Sequence, residues 1–129
     1  MEAKIRSHCA YNINYHIVFC PKRRKAVLVD AIATDCESII RTTAANSQIE
    51  VLSLAIMPDH VHAFVSSPPK LSPHIIVKRL KGATARFLRE KYPQLTRLPH
   101  LWAASYYVGT VGSVSDSVVK MYIENQKSR

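Results

Sequence analysis

The feature that most constrains the fold is a strand–turn–strand pattern near the middle of the chain. Residues Glu50–Met57 and His60–Ser66 are rich in apolar and β-branched side chains, a composition typical of strands. Between them, Pro58-Asp59 is a favourable turn centre, because proline presets φ for the second position of a β-turn. Apolar and polar residues alternate along the second segment. A slip of one residue would turn its apolar side outward, so the pattern predicts an antiparallel hairpin of fixed register.

Further segments of strand or helix character surround this hairpin. They are a strand at 11–20, a helix at Asp30–Asn46, a helix capped by Ser72 and running to about Lys91, a strand at 105–111 and a C-terminal helix at 113–126. The order β-α-β-β-α-β predicts a ferredoxin-like α+β fold, an antiparallel sheet carrying helices, with an added C-terminal helix. No linker or repeat divides the chain, so residues 1–129 are predicted to form a single domain. Spacing along the second helix predicts a core stripe of Ile76, Leu80, Ala83 and Phe87.

The charge balance indicates a polyanionic partner. Lysine and arginine total 18 against 9 acidic residues, which gives a formal charge of +9. No apolar run approaches the ~18–20 residues of a membrane span, and no glycine-rich phosphate loop is present, so neither a membrane nor a nucleotide cofactor is expected. The 3 cysteines show no C-x-x-C spacing, and the N-terminal residues lack the apolar stretch of a signal peptide. We therefore expect a reducing, cytoplasmic location.

Two histidines lie on the second strand of the hairpin. His60 and His62 are at positions i and i+2, so they project from the same face, roughly 6–7 Å apart at the backbone. Two imidazoles at that separation could share one divalent metal, although a third ligand would have to come from elsewhere. Alternatively, they are two half-exposed strand residues without a function. The remaining histidines are interpreted as structural or surface residues, with mid-strand His16 the least certain.

The C-terminal helix brings a second pair together. Tyr122 and Gln126 are at i and i+4 and therefore neighbours on one helix face. A phenol can act as a nucleophile, and an amide oxygen can ligate a hard metal. A tyrosine on an amphipathic helix also commonly serves packing alone, so this pair does not by itself identify an enzyme.

Taken together, these motifs resemble a known family. The His60-Val61-His62 strand is similar to the H-U-H motif, in which U is a bulky apolar residue, and the spacing from Tyr122 to Gln126 is similar to a catalytic helix. Both are features of single-tyrosine HUH transposases, the TnpA type of small insertion sequences within the REP-associated tyrosine transposase-like superfamily. Other segments that resemble this family are residues 14–19, 21–25, 80–82, 101–102 and 105–112. Ala103-Ala104 departs from the expected pattern.

The resemblance implies an activity and a site. Family members cleave and rejoin single-stranded DNA through a covalent 5′-phosphotyrosine, which here would form on Tyr122. A divalent ion, Mg²⁺ or Mn²⁺, would be held by His60, His62 and Gln126. Asp59 could orient a histidine, or it could serve only as a turn residue.

The resemblance also implies partners. The ligand would be single-stranded DNA with a hairpin at the element ends, and a homodimer is expected, with the tyrosine helix placed in cis or in trans. Aromatic residues Trp102, Tyr106 and Tyr107 could stack on unpaired bases, and for the two tyrosines the alternative is packing in the core. The basic residues interpreted as DNA-binding are Lys22, Arg23, Arg24, Lys78, Arg79, Lys81 and Arg86. The alternatives are a non-catalytic ferredoxin-like nucleic-acid-binding module and a domesticated HUH nuclease that serves the host.

Overall fold

The computed structural model describes residues 3–6, 9–110 and 123–124. In chain order, its elements are β1 (Lys4–Arg6), β2 (Cys9–Tyr11), β3 (Asn14–Phe19), α1 (Asp30–Asn46), β4 (Glu50–Met57), β5 (His60–Ser66), α2 (Pro73–Lys91) and β6 (Tyr107–Thr110). From β3 onward this is the predicted β-α-β-β-α-β order. Short 3-10 turns at Lys22–Arg24 and Pro93–Arg97 connect the larger elements.

The main sheet has four antiparallel strands in the order β4-β5-β3-β6. The two central strands, β3 and β5, are separated in the sequence by a helix and an edge strand, which is the ferredoxin-like arrangement. The hairpin β4–β5 pairs Met57 with His60 across the Pro58-Asp59 turn, as predicted. The ferredoxin-like fold class is therefore confirmed.

Both helices pack on one face of the sheet. Helix α1 buries a stripe of Ile32, Cys36, Ile40 and Ala44. Helix α2 begins as predicted, with Ser72 Oγ accepting a hydrogen bond from the Ile75 amide at 3.2 Å. Neither α1 nor α2 covers the opposite face of the sheet in the part of the chain that the structure describes.

The predicted stripe of α2 is wrong at its C-terminal end. Phe87 is 46% exposed, and the Arg86 guanidinium lies 4.8 Å from its ring centroid. The buried stripe continues instead through Thr84 and Leu88. Thr84 can occupy a core position because its hydroxyl donates to the Leu80 carbonyl at 2.7 Å and accepts from a buried indole, so its polar atom is satisfied. The spacing of apolar residues alone does not predict that polar Thr84 is buried.

Two strands are shorter than predicted. The expected strand 11–20 is interrupted between β2 and β3, where Asn14 Nδ2 donates to Asn12 Oδ1 at 2.6 Å, a local bond of the kind that competes with strand pairing. The small hairpin β1–β2 was not predicted. The last strand, β6, begins only at Tyr107. The carbonyls of Ala103 and Ser105, which precede it, accept hydrogen bonds from Lys81 Nζ instead of from a neighbouring strand.

The predicted C-terminal helix falls mostly outside the described residues. Only Ile123 and Glu124 of that segment are described, and both are helical. Cys9, Cys20 and Cys36 are free thiols. Within the described part of the chain, no helix is long and apolar enough to cross a membrane.

Candidate active site

The histidine pair lies on the face of the sheet that the helices leave open. Val61, Ala63 and Val65 are fully buried on the helix side, whereas His60, His62 and Phe64, which alternate with them, are only half-buried. The regular alternation in the sequence therefore places His60 and His62 side by side on the open face, as predicted.

Asp59 holds the first of these histidines. His60 Nδ1 donates to Asp59 Oδ1 at 2.9 Å, since a carboxylate can only accept. The second carboxylate oxygen accepts from Arg24 Nε at 2.6 Å. Burial of the Asp59 carboxyl opposes ionisation, but the hydrogen bonds from His60 and Arg24 outweigh it and lower the pKa below 3.8. Asp59 is thus both a turn residue and the acceptor that orients the His60 ring through Nδ1.

Arg24 connects this turn to the C-terminal segment. Its Nη1 donates to the Ile123 carbonyl at 3.3 Å and to Glu124 Oε1 at 3.1 Å. The side chain of Arg24 is only 16% exposed, so its guanidinium is used mainly by groups within the protein. The residues that directly follow Tyr122 in the sequence are therefore bound to the same arginine as the carboxylate that orients His60.

His16 approaches the second histidine from the neighbouring strand. Its Nδ1 lies 3.3 Å from His62 Nε2, and its ring stacks on Phe64 with centroids 4.6 Å apart. The sequence predicts a structural or surface role for His16, with the least certainty among the remaining histidines, and does not indicate this contact. Because the two histidines are 46 residues apart, only the register of β3 against β5 could have revealed it.

The histidine pair supplies part of the ligand set that a divalent metal requires. In the part of the chain that the structure describes, no three His, Cys, Asp or Glu side chains are grouped as a metal site. Two imidazoles, one of them oriented by a carboxylate, suit a divalent transition metal but need a further ligand. The remaining predicted members of the site, Tyr122 and Gln126, lie outside the described residues.

Several basic residues meet in a cleft beside α2. The cleft has a volume of about 550 Å³, and Lys22, Lys78, Lys81, Arg89 and Tyr106 contribute to its lining. Lys81 is anchored there by its bond to the Ala103 carbonyl at 2.6 Å, and burial lowers its pKa below 10.5. Three of the predicted DNA contacts thus share one concave surface.

Other predicted DNA contacts lie elsewhere. Arg79 and Arg86 line a second cleft, of about 500 Å³, together with exposed Phe87. Arg23 is exposed in the turn after β3. Lys78 borders both clefts and so connects them.

The suggestion that Trp102 stacks on bases is wrong. Its side chain is 5% exposed and packs edge-on against Phe19, with ring centroids 4.7 Å apart. The indole Nε1 donates to Thr84 Oγ1 at 2.9 Å. Trp102 is therefore a core residue, whereas Tyr106 and Tyr107 are only half-buried.

Comparison with known proteins identifies the chain. A family profile described as "Transposase IS200 like" matches residues 9–126. The chain is 36% identical to the ISDra2 transposase TnpA of Deinococcus radiodurans over 132 residues, which cover 100% of this chain and 94% of that protein. It is 30% identical to the transposase for insertion sequence element IS200 of Salmonella typhimurium, covering 97% of this chain and 84% of that protein.

Solved structures agree with these relatives. A crystal structure from D. radiodurans R1, assigned as a transposase, superposes with a TM-score of 0.86 at 36% identity and covers 95% of this chain and 96% of its own. A REP-associated tyrosine transposase bound to a REP hairpin shares the fold, with a TM-score of 0.57 at 12% identity, covering 96% of this chain and 69% of its own. Fold and histidine motif together define the class as an HUH-type transposase. The chain belongs to the IS200-like family and is a transposase of an insertion sequence.

Proposed function

We propose that this transposase cleaves and rejoins single-stranded DNA at the ends of its insertion sequence, with Tyr122 as the nucleophile. The observation that carries the proposal is the chain of contacts from His60 through Asp59 and Arg24 to Ile123. Tyr122 immediately precedes Ile123 in the sequence. The bonds from Arg24 to Asp59 and to the Ile123 carbonyl therefore support a position of the Tyr122 nucleophile close to the histidine pair.

The reaction needs no external energy source. The phenol oxygen of Tyr122 loses its proton and attacks a backbone phosphorus, forming a new O–P bond. The P–O3′ bond breaks, and the 3′ oxygen leaves as a hydroxyl after taking a proton. The phosphotyrosine retains a phosphodiester, so the 3′-OH of another strand can reverse the step and rejoin the DNA.

A tyrosine with an ordinary pKa of ~10 is a weak nucleophile near neutrality, so the site requires electrostatic help. We propose that His60, His62 and Gln126 hold Mg²⁺ or Mn²⁺. When bound, the ion would polarise the scissile phosphate and stabilise the developing negative charge. Asp59 contributes by accepting the hydrogen bond from His60 Nδ1, which keeps the ring oriented with Nε2 toward the ion.

The basic cleft beside α2 is the proposed track for the DNA. Lys22, Lys78 and Lys81 can neutralise phosphates along one concave surface, which makes affinity fall with added salt. Half-buried Tyr106 at the same cleft offers an aromatic surface for an unpaired base. The REP-associated relative of the same fold is bound to a hairpin, which supports a hairpin at the element ends as the substrate. Pairing two ends would require two copies of the chain, so we propose a homodimer.

The test is covalent capture of the DNA. An oligonucleotide that carries an element end is incubated with the protein and Mn²⁺ or Mg²⁺, and the products are separated under denaturing conditions. We expect a protein–DNA adduct that EDTA prevents and that Tyr122→Phe abolishes. Tyr11→Phe is the matched control, since Tyr11 lies in the separate β1–β2 hairpin and should leave the adduct unchanged.

Two results would contradict the proposal. If Tyr122→Phe still forms the adduct, the nucleophile is another group. If the wild-type protein binds the hairpin with and without EDTA but never becomes linked to it, the chain is a binding module rather than a strand transferase.

A further inference from the structure

We propose that Arg24 is a positioning residue that holds the segment after Tyr122 against the Asp59 turn, rather than a contact to DNA phosphates. The inference rests on the proposed function, in which Tyr122 is the nucleophile, but it concerns a residue outside the proposed ligand set. The Arg24 guanidinium joins Asp59, which is 35 residues away in the sequence, to Ile123, which is 99 residues away.

Two adjacent arginines in the turn after β3 have opposite surroundings. Both have a left-handed backbone, with φ of 57° at Arg23 and 55° at Arg24. Residues other than glycine rarely adopt this conformation, and it persists only where the surrounding structure holds it. Arg23 is exposed, whereas the Arg24 side chain is only 16% exposed. Because residue type and backbone conformation are the same, Arg23 is a matched control for Arg24.

The donors of Arg24 are directed at acceptors of the protein itself. Nε donates to Asp59 Oδ2 at 2.6 Å, and Nη1 donates to the Ile123 carbonyl at 3.3 Å and to Glu124 Oε1 at 3.1 Å. These three bonds use the Nε and Nη1 donors of the planar guanidinium fork. Two carboxylates accompany one positive charge, so a phosphate placed here would face a group of net negative charge.

The turn that carries Arg24 is itself fixed by backbone hydrogen bonds. The Lys22 amide donates to the Leu101 carbonyl at 2.8 Å, and the Arg24 amide donates to the Pro21 carbonyl, also at 2.8 Å. The backbone thus fixes one end of the Arg24 side chain, and the carboxylate of the neighbouring turn fixes the other. The guanidinium therefore binds the C-terminal segment at a defined place beside the histidine strand.

The first experiment follows this contact without DNA or metal. Amide hydrogen exchange at Ile123 and Glu124 is measured by NMR in the wild type, in Arg24→Gln and in Arg23→Gln. We expect exchange at both amides to accelerate severalfold in Arg24→Gln, because the segment loses its anchor, and to keep the wild-type rate in Arg23→Gln. Unchanged exchange in Arg24→Gln would overturn the proposal. If that variant does not fold, Arg24→Lys replaces it, because lysine retains the charge but not the fork.

The second experiment separates positioning from phosphate binding. Affinity for an oligonucleotide that carries the element-end hairpin is measured in EDTA over a series of salt concentrations. Loss of a phosphate contact reduces the slope of log affinity against log salt by about 1. We expect this reduction in Lys78→Gln, on the proposed DNA track, whereas Arg24→Gln should keep the wild-type slope and affinity. A slope reduced by about 1 in Arg24→Gln would identify a phosphate contact and contradict the proposal.

The third experiment measures the single-turnover rate of adduct formation at saturating DNA. We expect Arg24→Gln to lower this rate about 10- to 100-fold, because even a small displacement of a reacting group is costly. Arg41→Gln, which breaks an exposed ion pair on α1, is the control and should keep the wild-type rate. A wild-type rate in Arg24→Gln would also contradict the proposal.

The first two measurements need no DNA cleavage. They decide the role of Arg24 even if no covalent adduct forms, which would be a failure of the proposed strand transfer alone. Conversely, wild-type exchange in Arg24→Gln would leave the test of Tyr122 by covalent capture unaffected.

Discussion

At the scale of single residues, the site is organised by groups that do not themselves perform the chemistry. Asp59 accepts a hydrogen bond from Nδ1 of His60, and His16 Nδ1 lies 3.3 Å from His62 Nε2. The sequence could show that His60 and His62 share a face, because that follows from strand geometry alone. The sequence also suggests that Asp59 orients His60, because the two residues are adjacent, whereas the contact of His16 with His62 depends on long-range strand pairing.

Removing the Asp59 carboxylate should weaken the site. In Asp59→Ala, the His60 ring loses its acceptor and Arg24 loses one of its two carboxylates. We expect the rate of adduct formation to fall about 10- to 100-fold. Glu37→Ala, which removes an exposed carboxylate paired with Arg41 on α1, is the matched control and should keep the wild-type rate. Similar rates for the two variants would show that Asp59 serves only the turn.

The cysteines should differ sharply in reactivity. Burial raises the pKa of the Cys20 thiol to about 11 and that of the Cys36 thiol to about 12, whereas Cys9 is exposed. Because the thiolate is the reactive form, an alkylating reagent at neutral pH should label only Cys9 in the native protein and all three after denaturation. Mass spectrometry of the labelled peptides checks this, and fast native labelling of Cys20 or Cys36 would contradict the packing described above.

At the scale of elements, the sequence predicted best where a periodic pattern was long. The bounds of α1, β4, β5 and α2 follow from capping, turn and alternation signals and are confirmed. The three-residue strands β1 and β2 have too few residues to show a period, so they were missed. The rotation of α2 against its neighbours buries Leu88 and leaves Phe87 exposed. Because both side chains are hydrophobic, hydrophobicity alone cannot predict which of them is buried.

Substitutions at those neighbouring positions test the orientation of α2. Leu88 is 1% exposed, and Leu88→Ala should destabilise the protein by about 2–5 kcal/mol, because it leaves a cavity in the core. Phe87→Ala removes a larger but exposed side chain and should cost markedly less. Chemical denaturation of both variants provides the comparison. A greater loss of unfolding free energy for Phe87→Ala would mean that the originally predicted stripe is the buried one.

At the scale of the whole molecule, the excess of basic residues is divided between two tasks. Lys22, Lys78 and Lys81 line a cleft open to a polyanion, whereas Arg24 is used inside the protein to bind the Asp59 turn and the C-terminal segment. The formal charge of +9 therefore overstates what is available for DNA. This division could not be read from the run Lys22-Arg23-Arg24-Lys25, in which all four residues have the same sign. The homodimer stays a prediction.

The central claim is that Tyr122 forms the covalent bond to DNA, and locating that bond tests it most directly. The adduct from the element-end oligonucleotide is digested with protease and nuclease, and the peptides are sequenced by mass spectrometry. We expect a nucleotide attached through its 5′ phosphate to Tyr122. A nucleotide on any other residue, or attachment through a 3′ phosphate, would contradict it.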